Sequence, residues 1–140
     1  RMRALLAALV IVGGCAGATW HGFPVQQVEI GGMSKTVAVA STNSQQSKGL
    51  SGVTSLDGID GMLFEFPDAT NVRFWMKDTL IPLDVAFFDV SGVLIEVIGM
   101  DPCTEDPCPT YGPSQLYRWA VEAPAGGFLS GLPADATLVP

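Results

Sequence analysis

Clusters of glycine, proline, asparagine and aspartate cut almost the whole chain into short apolar runs. Sixteen glycines and ten prolines fall among the 140 residues, and each weakens a helix interior. Short runs rich in Val, Ile, Phe and Trp between such clusters read as strands. Residues 25–30 and 35–40 flank Gly31 and Gly32 as a hairpin, and residues 62–66 and 72–77 lie on either side of a turn at Pro67 and Asp68. Residues 84–89 and 93–98 form another hairpin around Gly92. Residues 99–115 make a long Pro- and Cys-containing loop, and residues 116–123 and 136–139 are further strands. The one helical signal is residues 41–50, where Thr42 and Gln45 have capping-box spacing and Gly49 suits the C-terminal end. Many short strands on one domain expose their edges unless the sheet curls or doubles. The expectation is a mainly β chain, a small single-domain β-barrel or β-sandwich with one short helix.

Composition and cysteines bound the compartment and the partners. With 48% hydrophobic and 15% charged residues, the chain can fill one core. A net charge of −7 with no Lys/Arg cluster repels phosphate backbones, which argues against nucleic acid. Arg1 and Arg3 precede an apolar run at residues 4–12 and then small residues, the layout of an export signal over residues 1–18. That run falls well short of the roughly 20 residues that a membrane helix needs. Two processing routes stay open. Val12-Gly13-Gly14-Cys15 resembles a lipobox, which would acylate Cys15 and attach the protein to the membrane by its lipid alone. Ala16-Gly17-Ala18 suits cleavage before Thr19. Residues 19–24 then read as a tether, with the single histidine, His21, exposed in it, leading to a domain over residues 25–140. Cys103 and Cys108 remain, and an oxidising compartment would join them as a disulfide. Zinc on those thiolates with Glu105 or Asp106 is the weaker alternative, since no second ligand pair or nearby His accompanies them. The expectation is an exported monomer, periplasmic or lipid-anchored, with no metal and no cofactor.

Candidate chemistry centres on residues 72–77. Strand alternation sends Val72, Phe74 and Met76 to one face and Arg73, Trp75 and Lys77 to the other. An indole between two cations is a recognition surface for an anionic or polyhydroxyl ligand. The competing structural reading has the long stems shielding Trp75, with Glu65 as an ion partner. Asp78, Thr79 and Asp84 follow around Ile81 and Pro82, and Lys77, Asp78 and Asp84 together make a minimal acid/base set. Asp before Thr is equally a turn device that bonds its own backbone. Glu96 and Glu122 interrupt apolar strands and by alternation are expected to face solvent. With its lone His in the tether, the chain has no base for a Ser-His or Cys-His nucleophile.

Residues 61–89, GMLFEFPDATNVRFWMKDTLIPLDVAFFD, carry a resemblance to a bacterial and archaeal family known as domain of unknown function 192. The likeness extends to Lys48-Gly49-Leu50-Ser51 and to residues 116–122. Departures are Lys48 where the family usually has Arg, Ser51 where it has Met, Asp78 where it has Asn, and Ala134-Asp135-Ala136 in place of a late Gly-Asp element. The resemblance implies a small β-rich domain, often exported, and implies no reaction, substrate or cofactor.

The function expected is therefore a cell-envelope binding module for a small ligand or an envelope protein. Its ligand-binding candidates are Arg73, Trp75, Lys77, Asp78 and Thr79. The alternatives are a hydrolase or lyase using Lys77, Asp78 and Asp84, and a scaffold role.

Overall fold

Gly31 and Gly32, with φ of 57° and 77°, make the tight turn that a twisted hairpin requires. They join β2 (Phe23–Ile30) to β3 (Met33–Ala40). The computed structural model describes residues 17–140, so Cys15 and most of the expected export signal lie outside the described residues. The expected tether at 19–24 is a correction: Thr19–Trp20 is a strand, β1, folded back on β2 with Trp20 against Phe23. Trp20 is buried and its Nε1 donates to the Asp57 carbonyl at 3.0 Å, so burial of one indole docks what composition suggested was free.

After the helix α1 (Asn43–Lys48) come β4 (Gly61–Thr70), β5 (Phe74–Trp75), β6 (Leu83–Phe88), β7 (Leu94–Met100), β8 (Thr110–Tyr111), β9 (Tyr117–Pro124), a 3-10 turn (Phe128–Gly131) and β10 (Leu138–Val139). The main sheet runs β1-β2-β3-β4-β9-β6-β7, with β10 added beside β2 and a separate β5–β8 pair. Among the described residues all pairs are antiparallel except β3 with β4. The expected pairing of residues 62–66 with 72–77 does not occur. β4 runs through Pro67 to Thr70 with a register shift after Glu65, where proline offers no ladder donor. The segment after it leaves the sheet and meets β8 instead. Among the described residues no helix is long and apolar enough to cross a membrane.

Both faces of the central strands β4, β9 and β6 are covered. One apolar layer gathers Met62, Phe64, Phe66, Phe74, Val85, Phe87 and Tyr117, and the other gathers Leu63, Ala86, Phe88, Val121, Leu129 and Leu138. The sheet is β-sandwich-like and not a closed barrel. β10 ladders with β2, but it reaches the start of β7 only through the isolated bridge Val93–Thr137. Gly92 holds that junction. Its φ is 79°, and a methyl there would stand 2.5 Å from the Leu138 carbonyl oxygen. Gly92→Ala is expected to cost about 2 kcal/mol in denaturant unfolding and to speed amide exchange at Leu138, since side chain and β10 cannot share that space.

Candidate functional site

The short helix owes its place to its caps and not to burial, for it has no buried residue. Thr42 Oγ1 accepts from the Gln45 N–H at 3.2 Å, and Gln45 Oε1 accepts from the N–H groups of Thr42 and Ser41 at 3.1 and 3.0 Å. This is the capping box foreseen from sequence, on a helix shorter than residues 41–50 because Gly49 turns out at φ 45°. Gln46 Nε2 donates to the Glu65 carbonyl at 2.9 Å, fastening α1 beside β4. Gly49 lies against the Phe64 ring, 3.4 Å from where a side chain would begin.

Facing α1 is the 72–79 segment. Phe74 and Met76 are buried while Arg73, Trp75 and Lys77 are exposed, as alternation predicts, but Val72 is 49% exposed instead of joining the core. Its backbone serves a different purpose: the Val72 carbonyl accepts from the Tyr117 hydroxyl at 2.6 Å. Arg73 turns to β8, its Nε on Thr110 Oγ1 at 2.9 Å and its Nη2 on the Thr110 carbonyl at 3.0 Å, so Glu65 is not its partner. Lys77 Nζ stands 5.5 Å from the Trp75 ring centre, within cation–π range. Cys103 and Cys108 are joined in a disulfide within the loop that leads to β8, which in turn backs Phe74 and Trp75.

Between these two walls opens a cavity of about 540 Å³. Phe64 and Phe66 of β4, Phe74, Leu50 and Val72 supply apolar surface; Asn43, Gln46 and Ser47 come from α1; Lys48, Arg73, Trp75, Lys77 and Thr79 complete the lining. The candidates Arg73, Trp75, Lys77 and Thr79 thus share one pocket. Asp78 does not line it. Asp78 sits at φ 57° in the turn after Lys77, its carbonyl accepting from the Gly52 N–H at 2.9 Å. A left-handed position favours Asn, which gives the family's usual Asn a backbone reason and Asp a tolerated substitute.

Asp84 is further away in kind. On β6 it alternates with Val85, so it faces the second apolar layer, where its Oδ2 accepts from the Gly126 N–H at 2.9 Å. The set Lys77, Asp78 and Asp84 is therefore not assembled at one point, because the pleat of β6 turns Asp84 away from the cavity.

Glu122 is the larger correction. Expected in solvent, it is only 4% exposed and lines the cavity from its floor. It sits in β9 between Met62 of β4 and Val85 of β6, in the middle of the sheet. Burial pushes its carboxyl up to about 8 from an ordinary 4.5, because ionisation in an apolar setting has little solvation. The one sequence signal for it was a lone carboxylate inside an apolar strand. Among the described residues no group of three or more His, Cys, Asp or Glu is arranged to hold a metal ion.

The sequence model of domain-of-unknown-function family 192, described as an uncharacterised ACR, matches residues 26–137. The chain belongs to this family. In this family 192 chain, Phe64 and Phe66 of the Gly61–Phe66 motif and Phe74, Trp75, Lys77 and Thr79 of the Phe74–Asp84 motif line the pocket. Among curated proteins none matches the sequence. A crystal structure of a protein of unknown function from Novosphingobium aromaticivorans DSM 12444 is similar with a TM-score of 0.76 and 22% identity, covering 89% of this chain and 93% of that one. A candidate transcription regulator from Sinorhizobium meliloti 1021 is similar with a TM-score of 0.70 and 24% identity, covering 83% of this chain and 93% of that one. At such identities the likeness is one of fold.

Proposed function

We propose that this family 192 chain is a small-ligand-binding domain of the cell envelope, and that the cavity between α1 and the 72–79 segment is its binding site. The observation that carries the reading is the pocket itself: about 540 Å³, with an aromatic interior and an exposed indole and cations at its edge. Ligand sites are typically concave, largely apolar and equipped with a few convergent polar groups. Export is supported by the basic and apolar N-terminal run and by a disulfide that suits an oxidising space. The lipobox-like Cys15 makes a lipid anchor the preferred form of attachment.

Native mass spectrometry of the purified protein, beside its denatured mass, tests the reading. A non-covalent occupant is expected, and it should be lost in the Trp75→Ala/Lys77→Ala double variant while far-UV circular dichroism is unchanged. Trp75 is 53% exposed whereas Trp20 and Trp119 are buried, so displacement of the occupant should also change tryptophan emission. An occupant retained in the double variant would place the site elsewhere on the domain.

A further inference from the structure

The pocket holds opposite charges at different depths. Among the described residues Glu122 is the only carboxylate that lines it, and it lies at the floor. Lys48, Arg73 and Lys77 are exposed and stand at the mouth, with the rings of Phe64, Phe66 and Phe74 between. An unpaired acid in an apolar cavity costs the empty protein stability. Burial alone sets its ionisation: among the described residues no cation or hydrogen-bond donor offsets it. Neighbouring β9 positions carry Ala120, Val121 and Ala123, so an apolar side chain would suit the strand at position 122 as well. A side chain that weakens the empty fold and is aimed into a pocket is accounted for by an occupant that completes it.

Resting on the pocket reading above, we infer that the occupant is a small zwitterion with an apolar middle. Its ammonium or comparable charged N–H donor meets Glu122 at the floor, and its anionic end lies among Lys48, Arg73 and Lys77. The aromatic walls take the apolar middle. Pairing with an ammonium restores the charged carboxylate, so binding releases a proton when it begins from the neutral acid. Lys48, Arg73 and Lys77 are the other charged groups among the described residues that line the cavity. Affinity should therefore rise with pH until the free Glu122 carboxyl itself ionises, at about 8.

Calorimetric titration of the purified protein with ω-amino carboxylates, plain carboxylates and alkylamines of graded chain length decides the matter. The ω-amino carboxylates of one favoured length are expected to bind tightest, to release protons near neutral pH, and to weaken about ten- to a hundredfold in Glu122→Gln, the range for a hydrogen bond between charged groups. Should plain carboxylates bind as tightly, indifferent to Glu122→Gln, the zwitterion is overturned while the pocket reading stands. If no probe binds, the zwitterion is overturned as well. The native-mass comparison then judges the pocket reading separately, because it detects an occupant of any chemistry.

Discussion

Glu122→Gln is expected to make the domain more stable than the parent at about pH 9 and equally stable at about pH 4. The sign follows from where each state ionises. Below 4.5 the carboxyl is protonated both folded and unfolded, so no ionisation opposes its burial. As pH rises, the unfolded chain gives up the proton near 4.5 while the folded one holds it until about 8, so stability is lost progressively across that window. Above it both states are charged and the loss is complete. At 1.36 kcal/mol per unit the displacement would cap the effect at about 5 kcal/mol, and relaxation around the site brings the expected gain to about 2–4 kcal/mol. Glutamine keeps the shape and cannot ionise. Urea unfolding of both proteins at the two pH values measures the difference, and equal stability at the alkaline one would falsify the unpaired, buried carboxyl. A stabilising substitution that also weakens zwitterion binding would show stability traded against a binding function.

The error over Glu122 has a physical origin that separates what sequence patterning reads well from what it reads poorly. Alternation assigns a face only where one face is wet. β9 is central and covered on both sides: Val121 and Ala123 enter one apolar layer, Ala120 and Tyr117 the other. A charge there has no outward direction to take, and the pattern alone cannot say so. On the 73–77 segment, which lies outside the main sheet, alternation works: Phe74 and Met76 go in, and Arg73, Trp75 and Lys77 stay out. Val72 escapes it because the carbonyl of that residue, not its side chain, is bound by the core.

Local chemistry was legible where it is short-range. The Gly31 and Gly32 turn, the Thr42 and Gln45 cap and the Gly92 hairpin all depend on neighbours in sequence. The β3–β4 parallel pair, the partnership of β5 with β8 and the docking of Trp20 depend on distant ones. Half of the pocket follows the same division. Arg73, Trp75, Lys77 and Thr79 come from one continuous motif, whereas Lys48, Gln46 and Glu122 are brought to it by the sheet. Asp84 is close to that motif in sequence and yet faces the opposite layer, since strand pleating outweighs sequence proximity.

Tyr117→Ala is expected to cost about 3–5 kcal/mol, the range for emptying an aromatic site in a core, and to abolish the pocket's binding. Tyr117 is fully buried and meets Phe87 edge-on at 4.8 Å and Phe66 at 5.6 Å between ring centres. Phe74 stands edge-on to Phe64 at 4.9 Å and to Phe87 at 5.6 Å, so the same cluster carries the pocket's inner wall. The hydroxyl adds a directional tie, donating to the Val72 carbonyl and so pinning the segment that bears Arg73, Trp75 and Lys77. Burial pushes the phenol's ionisation well above its ordinary value, so that donor persists across the accessible pH range. Tyr117→Phe separates the two contributions. It keeps the ring and loses one hydrogen bond, about 1 kcal/mol, because the exposed Val72 can offer its carbonyl to water. Denaturant unfolding of both variants should therefore place Tyr117→Phe near the parent and Tyr117→Ala far below it. Affinity should fall in Tyr117→Phe by more than its small stability loss suggests, since a rim no longer pinned must be ordered again on binding. Equal affinity in Tyr117→Phe and the parent would mean that the β5–β8 pair and the Arg73–Thr110 bonds hold the rim without the tyrosine.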